Sequence, residues 1–420
     1  MKYFVVVQAP AYSLSANKCA LESAFAVHLR MLRQLIGPAY EELVLIGPAL
    51  SDEDYQASSS KLEVLDFESS GVRFLPAFPL NTSRADFLLH RFMPTWRWLK
   101  TQFAEPCVVH SGMSTELARP LMFMASLAAR RMGRPVIFMV DMDFREHALR
   151  FYKTGQWSLK SYLVNRIAYD PLKWLQLRLA PWLFDVCCFK GATLVRDFGR
   201  GRSNVRRFYD TVHSSQDVLT DAQLARRVQW IENDNQPFTV TYFGRLAANK
   251  GIERMISAIQ LASGRGTDIR LRIIGDGDCR QALMDQVRHL GLQAKVELLP
   301  PVAYGEPLFE LLEDCHVCIA APLIEDTPRA AFDAFSRGLP IVAFDIAYFR
   351  DLGQESGAVV TTPWPAAAGL ADALEQLTRD RPRVAKMCRR AVQFAAENTQ
   401  EIWLERRLAW LNEVAAKAAQ

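Results

Sequence analysis

Three short segments carry side chains whose types and spacing suit chemistry on a phosphorylated ligand. The first is Phe243-Gly244-Arg245-Leu246-Ala247-Ala248-Asn249-Lys250-Gly251. An apolar run ends at Gly244, where backbone without a Cβ can approach a ligand closely. Arg245 and Lys250 then flank a turn into a helical pattern. A guanidinium forks onto two oxygens, an ammonium adds a point charge and a helix N-terminus adds its dipole, so the three together suit a diphosphate. The segment ends Asn-Lys-Gly, not Gly-Lys-Ser/Thr, which excludes a P-loop. Taken alone, it also suits a solvated loop with two incidental cations.

The second segment is Gly275-Asp276-Gly277-Asp278-Cys279-Arg280. It has two glycines of a dinucleotide fingerprint, and Glu297 lies about where a ribose-binding acid would be. Arg280 stands where a third glycine would allow close helix–strand packing, so NAD binding is not expected. The third segment runs from Ala321 to Ala343 and contains Glu325, Thr327-Pro328-Arg329 and Asp333. One acid follows a buried strand and the other lies two turns into the next helix. Thr327-Pro328 opens that helix with free N–H groups. Two acids and a helix N-terminus can hold a polyol and an anion together. In isolation the same pair also reads as an N-capping acid and a solvated helix acid. Cys315-His316-Val317-Cys318 has C-x-x-C spacing, but no second ligand pair follows, so it reads as buried strand and not as zinc site.

The elements that must position these residues alternate in type. Short apolar strands are expected over residues 3–7, 43–46, 107–109 and 136–140 in the first half. A loop runs from the first strand to about residue 18, followed by a helix with Leu21, Phe25, Leu29 and Leu32 on one face. A polar stretch, residues 214–236, separates the halves. Strands over 238–243, 269–274, 295–299, 317–320 and 340–344 then alternate with helices over 252–262, 280–290, 307–313 and 329–337. This pattern predicts an α/β protein with two Rossmann-like, doubly wound parallel domains facing each other across a cleft. The expected domains are residues 1–215 and 238–398, with a helix over 401–420 packing back on the first. Ligands of such sheets sit at the carboxyl ends of strands.

Composition narrows the class. The chain has 420 residues, half of them hydrophobic and 23% charged, enough apolar mass for two cores and too much for disorder. No apolar run approaches the ~18 residues a membrane span needs, and the first residues read as a buried strand, not a signal peptide. Eight cysteines without a dense framework fit a reducing compartment. A cytoplasmic location is therefore expected. The net charge is +4, yet residues 151–230 hold 13 Lys/Arg against 6 Asp/Glu. Within that stretch, residues 151–190 interleave six cations with Trp157, Trp174 and Trp182. This reads either as a solvated helical face beside a core or as a surface for anionic lipid or phosphate.

Taken in order, strand-Gly-Arg-…-Lys-Gly, strand-Gly-Asp-Gly, and Glu-seven residues-acid with Gly338-Leu339-Pro340-Ile341-Val342 resemble the C-terminal domain of retaining glycosyltransferases of family four, which have the GT-B fold. The resemblance covers about residues 238–378. It implies that Arg245 and Lys250 bind the donor diphosphate and stabilise the leaving group, and that Glu325 contacts the donor sugar. It also implies that Asp333 binds the nucleotide ribose, with Gly244, Gly275, Gly277, Thr327, Pro328 and Arg329 lining the donor site. Asp333 is one methylene shorter than the family's second Glu. The family's glycine pair in the first loop is missing from residues 8–18, and its histidine after the strand 136–140 is replaced by Asp141-Met142-Asp143. Asp141 and Asp143 are thus candidates for acceptor or sugar contact, and His110, ending the strand 107–109, is a candidate substitute or a capped surface residue. Although Asp141-x-Asp143 has D-x-D spacing, no metal is expected.

The expected activity is retaining, metal-independent transfer of a sugar from a nucleoside diphosphate sugar, with no cofactor. The expected acceptor is a saccharide or a lipid-linked saccharide in cell-surface polysaccharide or glycoconjugate synthesis. An anionic membrane surface is an expected partner and nucleic acid is not. The alternatives are a non-catalytic sugar-nucleotide-binding relative, or an epimerase or hydrolase on the same fold.

Overall fold

The computed structural model describes residues 1–59 and 62–418. The chain divides into two compact units. Unit 1 takes residues 1–141, 163–208 and those from 404 on; unit 2 takes 142–162 and 209–403.

Unit 1 is built on strands β1 (Lys2–Val6), β4 (Glu42–Ala49), β6 (Val72–Pro79), β7 (Cys107–Gly112), β8 (Val136–Val140), β9 (Val186–Lys190) and β10 (Val205–Phe208). They form one parallel sheet in the order β10-β9-β8-β7-β1-β4-β6. A small antiparallel sheet joins β2 (Tyr12–Ser15), β3 (Lys18–Glu22) and β5 (Leu62–Asp66). The expected loop before residue 18 is thus a hairpin, and Leu21 lies in β3, ahead of the helix Ser23–Ile36. The hairpin escapes a sequence reading because β2 is largely exposed and the burial of Cys19, Ala20 and Leu21 depends on pairing with β5, more than forty residues away.

Unit 2 holds β11 (Phe238–Phe243), β12 (Ile269–Ile274), β13 (Val296–Leu299), β14 (Val317–Ala320), β15 (Ile341–Phe344) and β16 (Val359–Thr362). All pair in parallel, in the order β13-β12-β11-β14-β15-β16. Every residue of β11 is buried, as a central strand covered on both faces requires. The core runs through Phe238, Val240, Ile256, Ile273, Ile319 and Phe344. The chain leaves β11 toward β12 on one side and later returns to β14 on the other. The strand order therefore reverses between β11 and β14, and a crevice opens at their carboxyl ends.

The domain boundaries differ from those expected. Residues 209–237 belong to unit 2, because Val228 and Ile231 of the helix Asp221–Glu232 enter its core. His213 is also held there, its Nε2 2.9 Å from the Ala395 carbonyl. Residues 142–162 join unit 2 as well, and residues 404–418 group with unit 1. Residues 419 and 420 of the expected last helix lie outside the described residues. Among the described residues, no helix is long and apolar enough to cross a membrane.

Candidate functional site

The crevice between β11 and β14 deepens into a cavity of about 450 Å³ lined by Gly244, Arg245, Lys250, Asp326, Pro328, Arg329, Asp333 and Tyr304. Two loops build it. The loop after β11 is pinned at its first turn, where Tyr242 Oη donates to the Arg245 carbonyl at 2.9 Å. The Arg245 side chain is left exposed. The loop after β14 is tied to the first: Leu323 N–H donates to the Asn249 carbonyl at 2.9 Å, and Lys250 Nζ meets Asp326 Oδ2 at 2.5 Å. Gly251 has φ +63° and its Cα faces the Ala321 carbonyl so closely that a Cβ would lie 2.0 Å from that oxygen. The two loops thus approach to backbone contact.

Gly275 and Gly277 support this arrangement from behind. They do not line the cavity. A Cβ on Gly275 would sit 2.0 Å from the Gly244 carbonyl oxygen, and one on Gly277 would sit 2.5 Å from that of Leu246. The loop after β12 therefore rests directly on the loop after β11. Arg280 does not obstruct this packing: its guanidinium turns back to donate to the carbonyls of Gly275 and Leu299, at 2.8 and 3.1 Å.

The helix after β14 begins at Ala330, later than expected. The Thr327 N–H is engaged by Asp326 Oδ1 at 3.0 Å, and Thr327 is not in the cavity lining. Pro328 is fixed through its carbonyl, which accepts from Tyr348 Oη at 3.2 Å. Asp333 is 7% exposed and shares its Oδ1 with Tyr304 Oη at 3.4 Å. Burial pushes its carboxyl up to about 7, against the opposing pull of Arg329.

Glu325 points elsewhere. It is 4% exposed and does not line the cavity. Its Oε1 accepts from the Ala347 N–H at 2.8 Å, capping the helix Ala347–Ser356, while its Oε2 is buried with no hydrogen-bond partner. The segment 142–162 brings Arg150, Asp143 and Glu146 into its surroundings. Arg150 is buried, 4.9 Å over the Trp364 ring, and donates to Glu146 Oε2 at 2.5 Å. Burial pushes Glu325 up to about 8; Arg150 opposes the shift and Asp143 and Glu146 add to it.

Residues 237–380 match the family model described as glycosyl transferases group 1. This segment of unit 2 is thus similar to glycosyl transferases group 1. The chain is 25% identical over 214 residues to alpha-D-kanosaminyltransferase of Streptomyces kanamyceticus, covering 48% of this chain and 55% of that one. It is 29% identical over 189 residues to GDP-mannose:cellobiosyl-diphosphopolyprenol alpha-mannosyltransferase of Xanthomonas oryzae, covering 41% and 48%. The chain spans about half the length of these curated relatives. HepE of Anabaena, solved in complex with UDP, superposes with a TM-score of 0.61 at 14% identity, covering 98% of this chain and all of that one. That likeness gives both units the GT-B fold.

Unit 2 thus gathers Gly244, Arg245, Lys250, Pro328, Arg329 and Asp333 around one cavity. The other candidates are not among its lining residues. His110 is inside β7, not at its end. Its Nδ1 lies 3.1 Å from Tyr3 Oη and its Nε2 2.6 Å from Met139 Sδ, and burial lowers its pKa to about 3, so the ring is neutral. Asp143 belongs to unit 2 and is clasped by Arg145 at 2.5 Å, whereas Asp141 belongs to unit 1. Among the described residues no group of three or more His, Cys, Asp or Glu is placed to hold a metal ion.

Asp326 opens the segment Asp326-Thr327-Pro328-Arg329, whose backbone N–H groups the family resemblance sets against sugar and phosphate; here its side chain also lines the cavity. One lining residue escapes a reading by motif. Tyr304 lies between β13 and the next helix, in a stretch with no periodicity.

The Asp333 shift makes a prediction. In folded unit 2 this carboxyl holds its proton up to about pH 7, whereas unfolded it would ionise near 3.8. Its stabilising contribution is therefore complete below pH 3.8 and is lost as pH rises through about 7. A ribose hydroxyl donates better to the carboxylate than to the acid. Nucleoside diphosphate affinity should thus rise between about pH 6 and pH 8, more steeply in the wild type than in Asp333→Asn. Calorimetric titration at both pH values checks this; parallel profiles would remove Asp333 from the ribose site.

Proposed function

We propose that the chain is a retaining glycosyltransferase that moves a sugar from a nucleoside diphosphate sugar to a saccharide acceptor carried on a lipid. The observation that carries this reading is the meeting of Arg245, Lys250, Arg329 and Asp333 around one cavity at the point where the strand order of unit 2 reverses. The diphosphate binds between Arg245 and Lys250 and displaces Asp326 from the ammonium. The ribose rests on Asp333. The sugar extends toward Glu325, whose protonated carboxyl at neutral pH offers an O–H donor.

The bond from the anomeric carbon to the β-phosphate oxygen breaks, and the sugar passes through an oxocarbenium-like state. Negative charge gathers on the departing phosphate, where the fixed cations stabilise it. The acceptor oxygen attacks from the face the leaving group vacates, and its proton passes to the departing phosphate oxygen. No side-chain base is needed, and the cations supply charge that a divalent metal would otherwise provide. The relatives, kanosaminyl- and mannosyltransferases of alpha specificity, support a sugar donor. One of them acts on a diphosphopolyprenol-linked saccharide, which supports the lipid-linked acceptor.

The test is turnover of UDP-, GDP-, ADP- and CDP-sugars with and without saccharide acceptors, in the presence of EDTA. One donor should be consumed only when acceptor is present, with the anomeric configuration kept, as read by NMR of the product. Product without acceptor would favour a hydrolase or epimerase. Binding without any turnover would favour a non-catalytic relative, and complete, metal-restorable loss in EDTA would overturn the metal-independent mechanism.

A further inference from the structure

The helix Asp170–Leu183 of unit 1 is apolar on its outer face as well as its inner one. Its inner face packs Leu177, Ala180 and Pro181 together with Lys173 and Gln176. Gln176 is held by two bonds to the Ser114 backbone, accepting from N–H at 3.0 Å and donating to the carbonyl at 3.2 Å, and Lys173 pairs with Asp170 at 3.4 Å. Its outer face carries Leu172, Trp174, Leu175, Leu179 and Trp182, all exposed, Trp182 by 58%. The preceding turn adds Ile167, exposed by 72%. A surface helix ordinarily turns charged and polar residues outward. Scattered exposed leucines need no explanation, but a run of large apolar side chains along one helical stretch marks an interaction surface.

The charges on this face select the partner. Arg178 lies 4.9 Å over the Trp174 ring and Arg202 3.9 Å over that of Trp182. Arg166 is exposed beside Ile167. Residues 163–202 hold seven Lys/Arg and three Asp, and Asp170 and Asp197 are engaged by neighbouring cations. Guanidinium groups stacked on indole rings put cation and apolar body at one depth. That arrangement suits a boundary where acyl chains meet phosphate headgroups. In a twofold contact between two copies, the face would meet itself and set arginine against arginine.

We propose that this face docks reversibly on an anionic lipid bilayer, apolar side chains entering the headgroup boundary and arginines meeting lipid phosphates. The docking surface follows from the exposed face itself; only its purpose, reaching a lipid-linked acceptor, rests on the proposed function.

The test is co-sedimentation of the full chain with vesicles of phosphatidylcholine alone or mixed equally with phosphatidylglycerol, at low and high salt. The wild type should bind the mixed vesicles, bind the neutral ones far less, and be released by salt. Arg166→Gln and Arg178→Gln should each weaken binding about fivefold. Ile167→Ser with Leu175→Ser should abolish it. All four substitutions leave the inner face intact, and turnover of a soluble saccharide acceptor by every variant should equal that of the wild type. Equal binding to both vesicle types, or variants that bind like the wild type, would overturn the inference. A dimer in sedimentation velocity that the Ile167/Leu175 variant loses, without vesicle binding, would assign the face to a second copy and overturn it too. Loss of the docking result with soluble turnover intact would leave the proposed function standing; intact docking with no turnover would do the reverse.

Discussion

Arg245→Ala and Lys250→Ala should each lower turnover at saturating donor by at least about a hundredfold, the effect of removing one preorganised charge from a developing anion. The two are not equivalent. The Arg245 side chain is exposed, so its removal leaves little behind. Removing Lys250 leaves the Asp326 carboxylate, which it had met at 2.5 Å, facing the incoming diphosphate. Lys250→Ala should therefore also weaken nucleoside diphosphate binding more than Arg245→Ala does. Adding Asp326→Ala to Lys250→Ala should recover part of that binding, because the stranded charge is gone, and little of the turnover. Steady-state kinetics and calorimetric titration of the three variants read these outcomes. Near-normal rates in both single variants, with unfolding curves unchanged, would rule out this cavity as the place where the leaving group forms.

The second large effect is expected at a glycine that touches no ligand. Gly275→Ala should destabilise the protein by about 2–4 kcal/mol, summing a backbone conformation reserved for glycine with an overpacked contact. The added Cβ would fall 2.0 Å from the Gly244 carbonyl oxygen, and φ at this position is +149°. Because the obstacle is backbone, relief must come from moving the loop that carries Arg245. Donor affinity should fall together with stability. Gly264→Ala is the control: a Cβ there meets nothing within 4 Å, and the residue ends the helix Ile252–Gly264. Its unfolding midpoint should match or slightly exceed that of the wild type. Chemical denaturation and nucleotide titration of both variants provide the check. Wild-type behaviour of Gly275→Ala would mean that the loops after β11 and β12 are not in backbone contact.

The sequence makes the second sheet legible for a simple reason. Parallel strands buried on both faces read as short apolar runs, and Phe238-Thr239-Val240-Thr241-Tyr242-Phe243 ends at a glycine where the site begins. The spacing of Glu325 and Asp333 places both near the same strand end. It does not say which acid faces the cavity, because side-chain direction in an irregular loop has no period to read. There Asp326 lines the cavity, and Glu325 turns inward to cap a helix. Long-range choices are equally invisible. Residues 142–162 group with unit 2 and put Arg150 near Glu325, and no local pattern announces this. The basic, tryptophan-rich stretch is plain in the sequence. Its orientation is not, since the inward turn of Gln176 is set by Ser114, sixty-two residues away.

For the proposed transferase, the Lys250–Asp326 pair bears on how a catalytic cycle would end. Two cations strong enough to stabilise a leaving diphosphate would also retain it, and slow departure of product limits many enzymes. With Asp326 beside it, the ammonium never has to wait bare for the next ligand. As the spent nucleotide loosened, the carboxylate would take its place, so exit would become an exchange of one anion for another with no influx of solvent needed to neutralise the charge. The same carboxylate discounts every anion's affinity by a similar amount, small inorganic phosphates included. A ligand must then bring more than a phosphate group to hold the site, and the ribose and sugar ends of the donor gain weight in deciding what stays.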